Sequence, residues 1–156
     1  MRSFLPYLFI LAWLGSSPVP AFSDGDYKYL DENGNDVIFS MPDTVYTLSN
    51  PGPWIQEANQ HIPKVEFHNR SDGLENIRII TFIIPHPMED KSKGLIDKIY
   101  ILDKDGLIIG YHVFSPSDKK AVFRTKINGV INYAKVYIFC SKHGAWMTEL
   151  KLPFRS

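Results

Sequence analysis

Seven short runs rich in isoleucine, valine, phenylalanine and tyrosine follow one another from Val65 to Leu152, and they leave no room for a fold built on helices. They are Val65 to His68, Ile77 to Ile84, Ile96 to Leu102, Leu107 to Phe114, Ala121 to Ile127, Tyr133 to Cys140 and Trp146 to Leu152. Glycine, proline, aspartate, asparagine and serine separate them, and a strand about every ten residues with such breaks predicts an all-β sandwich. Asp103-Lys104-Asp105-Gly106 and Asn128-Gly129 have the composition of tight hairpin turns, so neighbouring strands are expected to pair antiparallel. No helix of more than about two turns is expected, and no internal repeat is visible.

The first 23 residues have the pattern of a secretory signal peptide: Arg2, an apolar stretch from Phe4 to Leu14, and small residues at Ala21 and Ser23, with cleavage before Asp24. The apolar stretch is too short to span a bilayer and no second one is longer, so no membrane partner is expected once the signal is removed. A periplasmic or otherwise secreted location follows. Residues 24–53, polar and rich in turn formers, are expected to form an extended N-terminal arm with at most a short hairpin, and residues 54–156 the sandwich domain. Seventeen acidic and seventeen basic residues are interspersed with zero formal net charge, which argues against a nucleic-acid partner.

Cys140 is the single cysteine, so no intramolecular disulfide is available. Val136, Ile138 and Cys140 alternate with Tyr137 and Phe139, and a buried strand therefore delivers the thiol to its end. His143 follows within a turn that Gly144 permits, a spacing at which sulfur and imidazole can reach one ion. His61 stands just before Pro63, and His86 lies between Pro85 and Pro87 directly after a strand, both on stiff loops. One thiolate and three imidazoles suit iron, copper or zinc rather than calcium or magnesium. His68 and His112 fall inside strands, where an outward polar side chain is the simpler expectation.

Several of these segments occur together in one family. Gln60-His61-Ile62-Pro63-Lys64-Val65-Glu66, Pro85-His86-Pro87-Met88, Ile96-Asp97-Lys98-Ile99-Tyr100-Ile101 and Cys140-Ser141-Lys142-His143-Gly144-Ala145-Trp146 resemble, in order and spacing, the superoxide reductases: the neelaredoxins and the iron domain of desulfoferrodoxin. The resemblance implies an immunoglobulin-like, seven-stranded antiparallel β-sandwich. It also implies a mononuclear iron held by equatorial His61, His86 and His143 and axial Cys140, with one electron passing to superoxide to give hydrogen peroxide. An electron donor, unidentified, must then restore the ferrous state, and a homo-oligomer is allowed. Trp54 and Trp146 would help wall the metal from solvent.

The chain departs from the family in two places. The remaining family histidine, about six residues after that of His-Pro-Met, has no counterpart in Ser92-Lys93-Gly94-Leu95-Ile96, leaving water, His112, His68 or an open position to replace it. The family lysine before the first ligand is Gln60, which can donate a hydrogen bond but attracts no anion at distance; Lys91, Lys93 and Lys142 are the candidate replacements. The alternatives are a copper electron-transfer protein of the cupredoxin kind, with Met147 completing Cys140, His143 and His86, and a metal-binding module on the same fold without redox chemistry.

Overall fold

The computed structural model describes residues 27–30, 34–69 and 77–152, so the expected signal peptide lies outside the described residues. Among the described residues there are ten strands: β1 (Tyr27–Leu30), β2 (Asp36–Phe39), β3 (Val45–Tyr46), β4 (Lys64–Asn69), β5 (Ile77–Ile84), β6 (Ile96–Leu102), β7 (Ile108–Val113), β8 (Ala121–Asn128), β9 (Tyr133–Cys140) and β10 (Gly144–Lys151). The last seven are the seven expected runs, each within two residues of its expected ends. Among the described residues there is no α-helix, only single 3-10 turns at Gly52–Trp54, Ala58–Gln60 and Lys91–Lys93.

A five-stranded sheet, in the order β3-β10-β9-β6-β7, packs against a three-stranded sheet, β4-β5-β8. Every pairing is antiparallel except that of β3 with β10. Ile80, Phe82 and Ile84 of β5 and Ala134, Val136 and Ile138 of β9 alternate along their strands to fill the space between the sheets, together with Ile99, Ile101, Ile127 and Trp146. This is the all-β sandwich expected from the strand spacing, with three strands more than the seven anticipated.

The extra strands come from residues 27–46. β1 and β2 form an antiparallel hairpin, and the fully buried ring of Phe39 packs on the outer face of the five-stranded sheet. Its centroid lies 5.0 Å from that of Tyr100 and 4.8 Å from that of Tyr137. This second apolar layer is why Val136 to Ile138 are buried without interruption instead of alternating: β9 is covered on both faces.

Of the two expected hairpin turns, one is found. Asp103 closes β6 to β7, its carboxylate accepting from the Asp105 and Leu107 amides at 2.9 Å, with Gly106 at φ +81°. Asn128-Gly129 does not close a hairpin, because β8 belongs to the three-stranded sheet and β9 to the five-stranded one. The chain crosses between sheets there. Buried Arg78 holds the crossing by donating to the carbonyls of Gly129 (2.9 Å) and Ile131 (3.1 Å), a role in which Asn and Gly serve as a corner and not as a strand reversal.

Candidate metal centre

Cys140 ends β9, the central strand of the five-stranded sheet, and Gly144 opens β10 directly opposite it. The three residues between them make a tight turn that Gly144 closes at φ +74°, a conformation strained for any residue with a Cβ. This turn folds His143 back over the sulfur, placing Nδ1 3.4 Å from Sγ. The Cys-x-x-His-Gly spacing thus becomes one buried corner.

The other two imidazoles come from the opposite sheet. His86 follows β5, fixed between two prolines, and brings Nε2 to 3.7 Å from Sγ. His61 follows the 3-10 turn Ala58–Gln60 and precedes β4, and its Nε2 lies 3.2 Å from His143 Nδ1. The four donor atoms all lie within 4.8 Å of one another, and all four residues are buried. The centre therefore sits at one end of the sandwich, where both sheets contribute.

Surrounding groups orient these rings. His61 Nδ1–H donates to the Glu57 carbonyl at 2.9 Å, which leaves Nε2 bare and aimed at the cluster. Trp146 lies parallel to the His61 ring, 4.5 Å away with 5° between planes, and its Nε1–H donates to the His143 carbonyl at 3.2 Å. Trp54 meets the His143 ring edge-on at 4.8 Å. Both tryptophans flank the imidazoles, and Trp146 is fully buried. Met88 is buried beside His86 in sequence and accepts the Ile96 amide through Sδ, tying the His-Pro-Met segment to β6.

Burial keeps the donors uncharged. It lowers the pKa of His61 to about 4, with the neighbouring imidazoles adding to the effect and the Glu57 carbonyl opposing it. Burial likewise lowers His86, helped by the charges of His143 and Lys93, and lowers His143, against the pull of Glu57. Burial raises the Cys140 thiol, while the amides of Lys142 and His143 donate toward the sulfur and draw it down. Among the described residues His86 Nδ1 is buried without a hydrogen-bond partner, while the Pro87 and Lys93 backbone favours the charged ring. Neutral imidazoles with converging lone pairs and a sulfur fed by two amides form a ligand set ready for a thiophilic transition ion, so the residues present fit a mononuclear iron site.

Neither of the other described histidines joins the cluster. His68 points to the outside of the three-stranded sheet, 3.1 Å from Thr81 Oγ1, and His112 stacks on Phe123 (5.1 Å, 8° between planes). Met147 faces the outer layer around Phe39, one residue out of phase with Trp146, and cannot complete a copper site. Along Ser92 to Leu95 the chain lies directly against the thiol. A Cβ on Gly94 would sit 3.1 Å from Sγ and 2.6 Å from Lys142 Cβ, and Gly94 has φ +83°. Ser141 clamps this segment by donating its amide to Leu95 O and accepting the Leu95 amide on Oγ, both at 2.9 Å. Lys142 Nζ donates to Ser92 O at 2.8 Å. Gln60 is half-buried beside His61. Sequence reasoning missed Gly94 and the Glu57 carbonyl; the breadth of the Ser92 to Leu95 departure was the one signal for the former.

The desulfoferrodoxin family model matches residues 54–149, well over half of the chain. No curated protein sequence matches. Among solved structures, the superoxide reductase from Nanoarchaeum equitans is similar with a TM-score of 0.51 at 18% identity, covering 70% of this chain and 100% of that one. A variant of the neelaredoxin superoxide reductase from Ignicoccus hospitalis is similar with a TM-score of 0.54 at 19% identity, covering 75% of this chain and 99% of that one.

Proposed function

Since the chain belongs to the desulfoferrodoxin family, we propose that it holds one iron ion through His61, His86, Cys140 and His143 and reduces superoxide to hydrogen peroxide outside the cytoplasm. The observation that carries this is the buried convergence of one thiol and three neutral imidazoles from both sheets. The ion, when bound, supplies the single electron that superoxide accepts together with two protons.

The chain's own residues set the conditions for that chemistry. The amides of Lys142 and His143 stabilise the thiolate once a metal has displaced its proton. The Glu57 carbonyl and Trp146 fix the tautomer and plane of His61, so that Nε2 keeps its direction without reorganisation. Lys93 and Lys142 are the cations whose charge is felt at the cluster, on His86 and on His143 and Cys140, and they take the part of the absent family lysine in attracting the anion. Gln60, at the family lysine position, is left as a neutral hydrogen-bond donor. A separate electron donor resets the centre after each turnover.

Metal content and the optical spectrum of the mature protein, prepared from an export-competent host, test the proposal. About one iron per chain and a thiolate-to-metal band that bleaches on reduction are expected. Cys140→Ser should abolish the band while leaving the sandwich folded. An intense blue copper band, or zinc alone with no redox-linked colour, would refute it.

A further inference from the structure

Three rings run from the metal centre to the edge of the five-stranded sheet. Trp146 lies flat on the His61 ring, 4.5 Å away with 5° between planes. Tyr46 of β3 is the cross-strand partner of Trp146, with ring centroids 5.5 Å apart. β3 is the outermost strand of that sheet, and Tyr46 is half-buried where His61 and Trp146 are fully enclosed. Two ring contacts thus lead from a ligand to the surface.

The side chains on this line differ in chemistry from the core around them. Phe82, Phe114 and Phe123 are the phenyl rings packed between the sheets elsewhere, and phenyl gives up electrons poorly. Both tryptophans of the described residues instead touch ligand imidazoles, Trp146 that of His61 and Trp54 that of His143. Indole and phenol are the side-chain rings most easily oxidised by one electron. The Tyr46 ring also has a slot kept for it by glycine. A Cβ on Gly52, at φ +57°, would lie 2.6 Å from the ring, and one on Gly144, at φ +74°, 3.4 Å from it.

Superoxide reduction makes hydrogen peroxide beside a ferrous ion and a thiolate, and peroxide that lingers there oxidises cysteine. We propose that Trp146 and Tyr46 form an exit for oxidising equivalents, a use of the site that rests on the iron assignment above. When peroxide reacts at the reduced centre, one of the two electrons it takes comes from the ferrous ion and the other from Tyr46 by way of Trp146, not from Cys140. The phenol proton and one proton from solvent complete two waters, leaving a ferric ion and a tyrosyl radical. The radical rests on the outermost strand, where an external reductant reaches it, and the sulfur is spared.

The test mixes iron-loaded, reduced protein with an equivalent of hydrogen peroxide and freeze-quenches it for electron paramagnetic resonance. A tyrosyl signal is expected, absent in Tyr46→Phe and at least tenfold weaker in Trp146→Phe, which keeps a ring against His61 but is hard to oxidise. Tyr100→Phe, in the outer layer, should leave the signal unchanged. Without the exit the thiolate is the nearest reductant, so Tyr46→Phe should lose its thiolate-to-metal band severalfold faster under repeated additions of peroxide, although its starting band and circular dichroism match those of the unaltered protein. No protein radical, a signal that survives Tyr46→Phe, an equal yield in folded Trp146→Phe, or equal bleaching rates overturns the exit. Where the unaltered protein carries iron and the expected band, those results leave the iron assignment standing, whereas absence of iron overturns both.

Discussion

His61 makes the metal-free protein sensitive to mild acid in a calculable way. Its ring is fully buried, stacked on Trp146 and bonded to the Glu57 carbonyl, and its pKa falls from 6.5 to about 4. As pH drops below 6.5 the unfolded chain takes up a proton at this ring that the folded chain refuses, so stability present above pH 6.5 is lost progressively down to about pH 4. A separation of about 2.5 pKa units amounts to about 3.4 kcal/mol in full, of which about 2 kcal/mol is gone by pH 5. His86 and His143, shifted in the same direction, add to the loss. Carboxylates contribute their own acid dependence, so the comparison must be with His61→Phe, which keeps a ring against Trp146 and cannot titrate. Urea unfolding of both metal-free proteins at pH 7.5 and pH 5 gives the two differences. The native chain should lose about 2 kcal/mol more than the variant between these pH values. Equal losses would refute the claim that burial holds His61 neutral.

The remaining expectations concern the surroundings of the centre. Gly94→Ala should destabilise by about 1 to 3 kcal/mol through its positive φ and the contact with Lys142, and should shift the thiolate band of the cobalt-substituted protein by pressing on Sγ; an unchanged spectrum would show that the segment yields. Arg78→Met should cost about 2 to 4 kcal/mol by leaving the Gly129 and Ile131 carbonyls without a donor, and a loss under about 1 kcal/mol in urea unfolding would place the crossing's stability in packing instead. Lys93→Gln and Lys142→Gln should each slow the reaction with pulse-generated superoxide about threefold at low salt and flatten its ionic-strength dependence, and rates equal to the unaltered protein would remove both lysines from anion attraction.

Much of this molecule was legible in its sequence because the signals were local. Strand runs such as Ile77 to Ile84 carry β-branched residues between turn formers, and Cys140 and His143 meet through a four-residue corner that Gly144 marks. What sequence could not supply was long-range partnership. Asn128-Gly129 has hairpin chemistry, but its carbonyl neighbours are claimed by Arg78, some fifty positions earlier, and the corner leads into the other sheet. Phe39 ends the three-residue apolar run Val37-Ile38-Phe39, too short to show a strand's period from sequence, and it is fully buried because Tyr100 and Tyr137 supply its pocket. The missing histidine is visible in sequence as a gap, whereas the reason nothing bulky fills it, a glycine pressed against sulfur, is a contact between distant segments.

The four donors are drawn from three separated segments, with 82 positions between His61 and His143. Neither sheet alone owns the centre. An ion held there would staple one half of the sandwich to the other, closing a loop far longer than any turn in the chain, and chain entropy would resist its release. Tight capture of an ion would therefore require both halves: a chain whose halves have not met has a thiol and a neighbouring imidazole but no cage.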